Sequence, residues 1–156
     1  MEIFTIYHPN AKGTGSALKF IPRAAKYIKG PGNLILSIAL QTSTGNKVEG
    51  EPSIPRFDWD KEIEVYLDPF EVMEIIRVIK GEQEAINDGK GIYSQREHCA
   101  LDVRHRIDPV PGYQFTFKTV EKNGDTTTRA ISLSCTEGET ICIALTYALG
   151  PMVFGQ

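Results

Sequence analysis

The sequence repeats one pattern, in which a strand of alternating apolar residues runs directly into a capped amphipathic helix. In the first copy, Ile63, Val65 and Leu67 line one face of a predicted strand, and the helix that follows begins after Asp68 and ends at Gly81. An acidic N-cap with a glutamate three residues later satisfies the free amides of the first helical turn, and glycine permits a left-handed exit. These residues therefore predict both ends of the first helix.

The second copy lies at the end of the chain. Its predicted strand is lined by Ile131, Leu133 and Cys135. Thr136 and Glu139 again stand three residues apart at the expected start of a helix, which we predict to end at Gly150 because Pro151 follows directly. A pattern that occurs twice indicates a duplicated sheet-plus-helix unit rather than a long repeat array.

The chain therefore predicts an α+β protein in which two strand-rich repeats, about residues 1–81 and 91–156, form a single domain. Each repeat is expected to contain roughly four antiparallel strands followed by a helix, and the two helices are expected to pack together. The polar segment 81–91 joins the repeats. A chain of 156 residues with 41% hydrophobic content is long enough to bury one common core.

Positive charge is concentrated on particular strand faces. Lys19 and Arg23 alternate with apolar residues in the N-terminal repeat, and Arg104 and Arg106 do so in the C-terminal repeat. The first 50 residues contain six lysines and arginines against two glutamates, although the net charge of the chain is −3. This segregation indicates a surface that meets an anion, while solvated loop lysines are the alternative interpretation.

The remaining composition limits the class of protein. The apolar stretches fall short of the roughly 18 residues of a transmembrane helix, and the start of the chain lacks the basic and apolar regions of a secretory signal. We therefore expect no membrane partner and no secretion, with a location in bacterial or phage-infected cytoplasm or in an organelle matrix. The odd number of cysteines, Cys99, Cys135 and Cys142, favours reduced thiols over disulfides.

The second predicted helix is apolar around most of its circumference, and residues 152–154 extend that surface beyond Gly150. One sheet cannot cover such a helix, so we expect the first helix and another subunit to cover it. We predict self-association into a dimer or tetramer through apolar side chains of this segment, namely Ile141, Leu145, Leu149, Met152 and Phe154.

Several segments resemble the plant Whirly proteins. The run Phe57-Asp58-Trp59-Asp60-Lys61 is similar to the aromatic-Asp-Trp-x-x-Lys segment that leads from strand to helix in that family. Residues 12–24 are similar to its Lys-Gly-Lys-Ala-Ala-Leu strand and trailing Pro-Arg, and residues 148–155 to its closing helix. The superfamily also includes the kinetoplastid mitochondrial RNA-binding proteins and the coactivator positive cofactor four. The resemblance implies strand-rich repeats, each closed by a helix, in tetramers that hold single-stranded nucleic acid across the sheets.

Together, the resemblance and the residues predict a non-catalytic protein that binds single-stranded nucleic acid, DNA in preference to RNA, largely independently of base sequence. Its expected roles are replication, recombination, repair or transcription. Such proteins combine cations that contact phosphates with aromatic rings on which bases stack. The predicted phosphate contacts are Lys12, Lys19, Arg23, Lys26, Lys29, Arg104, Arg106 and Lys118. The predicted stacking residues are Tyr7, Phe20, Tyr27, Trp59, Phe115 and Phe117. No cofactor or metal is expected, since the cysteines and histidines lack the spacing of a zinc site.

Alternatives stay open for some of these residues and for the protein as a whole. Phe20, Phe115 and Phe117 share strand faces with other apolar residues, so burial in the core competes with stacking, and Trp59 can instead anchor a sheet edge. The alternative functions are a protein-interaction scaffold assembled through the C-terminal helix, or a protein that binds and anneals guide RNA or mRNA. An enzyme that uses the pair His98-Cys99 is disfavoured, because adjacent strand residues point to opposite faces.

Overall fold

The N-terminal repeat folds into a five-stranded antiparallel sheet, termed sheet 1, in a computed structural model that describes residues 3–26, 30–45 and 54–155. Its strands are β1 (Phe4–His8), β2 (Ser16–Arg23), β3 (Asn33–Ser43), β4 (Arg56–Phe57) and β5 (Ile63–Leu67). β2 lies between β1 and β3, and the other edge of β3 pairs with β5 along residues 34–38 and with β4 near residues 41–43. The sequence patterns do not predict β1 or the short β4.

The C-terminal repeat forms a four-stranded antiparallel meander, termed sheet 2. Its strands are β6 (Ile92–Ser94), β7 (Cys99–Arg106), β8 (Gly112–Val120) and β9 (Thr126–Ser134), and each pairs with the next. The connection between β8 and β9 spans residues 121–125, so it is longer than a tight turn at Asn123-Gly124. Gly124 supplies the positive φ, at 86°.

The inner faces of the two sheets share one hydrophobic core. Strand alternation directs Leu18 and Phe20 of sheet 1, and Phe115 and Phe117 of sheet 2, into this core. The rings of Phe20 and Phe115 meet edge to face with their centroids 6.3 Å apart. The core is therefore continuous across the two repeats.

The first helix, α1 (Pro69–Ile79), has the ends that the sequence predicts. The Asp68 carboxylate accepts a hydrogen bond from the Glu71 amide at 2.8 Å, and the Glu71 carboxylate accepts one from the Asp68 amide at 3.0 Å. This reciprocal capping box satisfies two amides of the first turn. Gly81 follows the helix with a φ of 80°, which a residue without a Cβ adopts at low cost.

The second helix, α2 (Cys135–Phe154), begins earlier than predicted. Ser134, rather than Thr136, is the N-cap: its hydroxyl accepts a hydrogen bond from the Glu137 amide at 3.1 Å. The Glu137 carboxylate in turn accepts one from the Ser134 amide at 2.9 Å. The sequence holds two overlapping capping patterns here, and the upstream one wins because β9 ends at Ser134.

The C-terminal part of α2 passes the Gly150-Pro151 pair at which the sequence predicts a stop, so that expectation is wrong. Gly150 accepts the helical conformation before proline because it has no Cβ to clash with the ring. The Pro151 carbonyl accepts hydrogen bonds from the amides of Gly155 at 2.8 Å and Ala25 at 3.0 Å. The bond with Ala25 ties the last turn of α2 to the end of β2, so a tertiary contact prolongs the helix.

The segment between the repeats is polar, as predicted, yet it is fixed to the rest of the protein. Ile86 is completely buried in the core. The Glu74 carboxylate of α1 accepts hydrogen bonds from the Gln83 side chain at 2.6 Å and from the Asn87 amide at 3.0 Å, and these bonds lower the pKa of Glu74. The segment therefore packs on α1 rather than hanging free between two units.

The two helices pack against each other, and Tyr113 of β8 joins them to sheet 2. Its hydroxyl donates a hydrogen bond to the carbonyl of Ile79 at the end of α1, at 3.1 Å. Its ring lies against Gly138 of α2, where a Cβ would stand 2.2 Å from a ring carbon. The predicted fold class, α+β with two antiparallel sheets and two packed helices, is confirmed. None of the helices in the described part of the chain has the length and apolar character needed to span a membrane.

Candidate nucleic-acid interface

The outer face of sheet 1, which points away from the core, brings cations and aromatic rings together. The members of this face are Tyr7 of β1, Lys19 and Arg23 of β2, Phe57 of β4, Tyr66 of β5, and Trp59 from the single turn of 3₁₀-helix after β4. The residues on strands share this face because strand positions alternate between the core and the outside. Trp59 joins them because its ring lies over Lys19.

Tyr7 and Phe57 form an aromatic pair at one end of the outer face of sheet 1. Their ring centroids are 5.4 Å apart, with the rings tilted by 50°. The neighbouring strand positions on this face are Ala17 and Ala39, which are completely buried although they point outward. Tyr7 remains 55% exposed, so its ring is open to a ligand.

Lys19 and Trp59 form the next pair along this face. The Lys19 ammonium lies 3.7 Å from the centroid of the Trp59 ring, in a cation–π contact. Both side chains are partly buried. None of the ion pairs between described residues involves Lys19, so the ring, and not a carboxylate, is the partner of its charge.

Tyr66 lies at the other end of the face and is flanked by two arginines. Arg96, from the turn between β6 and β7, lies over the Tyr66 ring at 5.6 Å, so the C-terminal repeat contributes to the outer face of sheet 1. Burial and the Glu64 carboxylate raise the pKa of Tyr66, whereas the nearby charges of Arg23 and Arg96 oppose that rise. The Arg96 guanidinium therefore lies over the ring, and the positive charge of Arg23 acts on the same tyrosine.

Two glutamates interrupt the positive charge of this face. Ser37 of β3 lies opposite Glu64 in the sheet register and donates a hydrogen bond to the Glu62 carboxylate. Burial, followed by the hydrogen bond and the charge of Glu62, raises the pKa of Glu64. Negative charge at the centre favours binding through the rings and the flanking cations over binding by a uniformly basic groove.

The outer face of sheet 2 carries the other predicted cations that lie on strands. Arg104 forms a two-point ion pair with Asp102, with N–O distances of 2.5 and 3.0 Å. Arg106 donates hydrogen bonds to the Ser132 hydroxyl and, at 2.9 Å, to the Asp108 carbonyl. Both arginines are thus engaged within the protomer, while Lys118 is exposed.

The other predicted phosphate contacts lie outside the sheet faces. Lys12 is exposed in the turn between β1 and β2, and Lys26 is exposed beyond the end of β2, near the last turn of α2. Tyr27 and Lys29 lie outside the described residues.

Three of the predicted stacking residues belong to the core. Phe20, Phe115 and Phe117 are at most 3% exposed, and their rings pack between the two sheets. The prediction that these rings stack on bases is therefore wrong. The competing interpretation holds because each shares its strand face with core residues such as Leu18.

The predicted association surface on α2 also needs correction. Ile141, Leu145 and Met152 are almost completely buried within the protomer, and Leu149 is partly buried, so only Phe154 of the predicted set is exposed. The helix instead exposes a row of residues that shares only Phe154 with the predicted set; its members are spaced alternately four and three apart, and we term it the α2 stripe. Its members are Thr136, Thr140, Ile143, Tyr147, Gly150 and Phe154.

The α2 stripe has the spacing of a helix–helix contact. Ile143 is 62% exposed, Tyr147 80% and Phe154 82%. An apolar groove of about 270 Å³ runs beside it, between α2 and the ends of β1 and β2, and Phe4, Pro22 and Tyr147 contribute to its walls. Large apolar side chains that remain uncovered in one protomer indicate a contact surface.

The residues considered for catalysis are not arranged for it. Cys99 is completely buried in β7, and burial is the main cause that raises the pKa of its thiol to about 11. His98 precedes it with an exposed side chain and a φ of 51°. A protonated, buried thiol with an outward-facing histidine lacks the reactive thiolate of a nucleophilic site. Within the described residues, no cluster of His, Cys, Asp and Glu has the geometry of a metal site.

Three residues of the interface were not predicted. Tyr66 alternates with Val65 and Leu67, so its opposite parity was a signal for the outer face. Phe57 belongs to the segment that resembles the Whirly proteins, but its place on this face depends on the pairing of β4 with β3. Arg96 lies in a turn of the other repeat, and no local pattern indicates that it reaches Tyr66.

Two antiparallel sheets that share a core, each continued by a helix, give this chain a Whirly-like fold. WHY1 from Arabidopsis thaliana matches with a TM-score of 0.67 and 19% identity, over 97% of this chain and 87% of that chain. MRP1/MRP2 from Trypanosoma brucei matches with a TM-score of 0.67 and 13% identity, over 94% and 83%. The plant transcriptional regulator PBF-2 matches with a TM-score of 0.63 and 18% identity, over 97% and 81%.

The chain therefore shares the fold of these structures, as the resemblance in its sequence predicts. Neither a protein-family model nor a curated protein sequence matches the chain.

Proposed function

We propose that this protein binds single-stranded nucleic acid, DNA in preference to RNA, without catalysis and largely independently of base sequence. The observation that carries the proposal is the outer face of sheet 1, where Lys19 and Arg23 stand among the rings of Tyr7, Trp59 and Tyr66. Unpaired bases expose their faces for stacking, whereas a duplex hides them, so a surface of rings flanked by cations favours single strands.

The similarity of fold to PBF-2, a plant transcriptional regulator, is consistent with a role in transcription. Replication, recombination and repair use the same kind of binding and belong to the same proposal. Base-sequence independence follows from the type of contact, because every base has a face on which an aromatic ring can stack.

Self-association is part of this proposal. The α2 stripe leaves Ile143, Tyr147 and Phe154 exposed at helix–helix spacing, so a second copy is the partner that would cover the stripe. A dimer or tetramer would present several sheet 1 faces to one strand and so raise its apparent affinity.

The direct test is a fluorescence-anisotropy titration at low salt with a labelled single strand of mixed sequence. Binding should weaken with added salt at a slope near −0.7 per neutralised phosphate, and a duplex of equal length should compete poorly. Replacing Lys19 and Arg23 with Gln should reduce the slope by about 0.7 for each cation removed. Lys90→Gln, which changes an exposed lysine of the segment between the repeats, is the matched control and should leave the slope unchanged.

A second candidate function is a protein-interaction scaffold that binds its partner through the α2 stripe, because apolar surfaces bind other proteins as well as copies of themselves. The same titration separates the two. Absence of an anisotropy change with both DNA and RNA at low salt would contradict the first proposal and favour the scaffold function.

A further inference from the structure

We infer that Lys19 and Trp59 form a one-nucleotide site in which the lysine exchanges the indole ring for a phosphate when a base arrives. The inference rests on the proposed function and describes how one part of the surface takes its ligand. It concerns a contact that already exists within the free protein, the Lys19 ammonium at 3.7 Å from the Trp59 ring centroid.

The Trp59 ring is the surface that a base would need, and Lys19 lies over it. A cation over an aromatic face strengthens a contact by about 2- to 5-fold at an exposed site and by more when the pair is shielded from water. Stacking of a base on an aromatic side chain strengthens binding by about 5- to 150-fold. Replacement of the ammonium by a base is therefore favourable if the ammonium finds a new partner.

A phosphate of the same nucleotide is the partner that the displaced ammonium would find. Lys19 forms no ion pair with any carboxylate among the described residues, so its charge is not already committed. The lysine stem is flexible, and its ammonium has three donors that suit a phosphate oxygen. The base then stacks on the Trp59 ring and the phosphate contacts the Lys19 ammonium, so one pair of residues binds both parts of the nucleotide.

The surroundings of the pair make Trp59 the position for this exchange. Tyr7, at one end of the face, contacts another ring, Phe57, with centroids 5.4 Å apart. Tyr66, at the other end, has Arg96 at 5.6 Å from its ring, which is a longer and looser contact. Only at Trp59, among these three described rings, does a cation lie within 4 Å of the centroid.

The test uses Trp59 itself as the reporter, because it is the single tryptophan of the chain. The full-length protein is titrated with an oligothymidylate of about 16 nucleotides and with an abasic sugar-phosphate strand of the same length, while anisotropy and tryptophan emission are recorded together. We expect oligothymidylate to quench Trp59 strongly. The abasic strand should bind more weakly, by about 5- to 150-fold for each base that stacks, and should leave most of the emission unquenched.

Variants separate the two halves of the site. Lys19→Gln should still show quenching by oligothymidylate, but its affinity for the abasic strand should fall and its salt slope should decrease by about 0.7. Trp59→Phe retains an aromatic face and should bind with nearly wild-type affinity, whereas Trp59→Ala should lose about 5- to 150-fold. Circular dichroism melts of all variants establish that they fold. Lys90→Gln, which changes an exposed lysine outside the predicted phosphate contacts, is the control for general loss of charge.

Each result decides between the inference and the proposed function. If anisotropy shows tight binding of oligothymidylate while Trp59 emission is unchanged, the exchange is excluded and the proposed function stands. Equal quenching by the abasic strand would likewise contradict base stacking on Trp59. If no strand binds at low salt, the proposed function fails and the inference fails with it.

Discussion

The contact between Gly138 and Tyr113 predicts that Gly138→Ala destabilises the protein, whereas helix propensity alone predicts that it is stabilising. Replacing glycine by alanine inside a helix ordinarily stabilises it by about 0.8–1 kcal/mol. At Gly138 the new Cβ would lie 2.2 and 2.3 Å from two ring carbons of Tyr113. Carbon atoms normally approach no closer than about 3.5 Å, so the ring or the helix would have to move by about 1.3 Å.

Neither partner is free to move. Tyr113 is 5% exposed and donates a hydrogen bond from its hydroxyl to the Ile79 carbonyl at 3.1 Å. Overpacking of a filled core costs about 1–3 kcal/mol, and a contact this short belongs at the upper end. After the propensity gain is subtracted, we expect Gly138→Ala to lower the free energy of unfolding by about 2 kcal/mol. For a chain of this length, that lowers the Tm by about 4–8 °C.

Urea and thermal unfolding at fixed protein concentration measure this change, because the proposed self-association would make stability depend on concentration. The matched control is a double-mutant cycle with Tyr113→Leu, which removes the ring. On that background Gly138→Ala should be neutral or should stabilise by up to about 1 kcal/mol. A stabilising effect in the wild-type background, or an equal effect in both backgrounds, would refute the packing argument.

Three further predictions concern assembly, thiol reactivity and pH. If the α2 stripe carries the proposed self-association, Tyr147→Glu should give smaller species than wild type in light scattering at micromolar concentration, because each copy loses about 1.5–3 kcal/mol of apolar burial and gains a charge. An unchanged mass would contradict the role of the α2 stripe. Iodoacetamide at about pH 8 should modify Cys135 at least about a hundredfold faster than Cys99, whose thiol is buried with a pKa of about 11; equal rates in peptide mass spectra would contradict the core assignment. Burial alone would raise the pKa of Glu137, but hydrogen bonds from Ser134 and His8 lower it below its usual value. The contribution of Glu137 to the free energy of unfolding is therefore fully present above about pH 4.3, and it is lost as the pH falls through the pKa of the folded state. The stability difference between wild type and Glu137→Gln should therefore shrink on acidification, whereas Glu71→Gln, in the other capping box, should show no such loss because burial raises the pKa of Glu71.

The sequence predicts the parts of this fold that depend on local chemistry. Asp68 and Glu71 cap α1 as expected, because the capping box needs only neighbouring residues. Alternation also places Lys19 and Arg23 on the face opposite Leu18, as expected. The predicted end of α2 at Gly150 is wrong because a distant amide, that of Ala25, supports the final turn.

The candidate site was predicted less completely than the fold, since its residues meet through long-range pairing. Parity alone cannot decide whether a strand face of phenylalanines meets solvent or another sheet, and Phe115 lies under Phe20 because the two sheets stack. The error at Ile141 and Leu145 has the same cause. Because α2 is apolar around most of its circumference, its sequence does not distinguish side chains that pack in the core from side chains that contact a second subunit. The pairing of Lys19 with Trp59 depends on the turn after β4, which no periodic pattern specifies.

The measurement that bears most directly on the central claim is photocrosslinking of the full-length protein to a single strand that contains 4-thiothymidine, followed by peptide mass spectrometry. We predict crosslinks on the outer face of sheet 1, at Tyr7, Trp59 and Tyr66, and their suppression by unlabelled single strand but not by duplex. Crosslinks confined to the α2 stripe or to sheet 2, or equal suppression by duplex, would contradict the claim that sheet 1 binds unpaired nucleic acid.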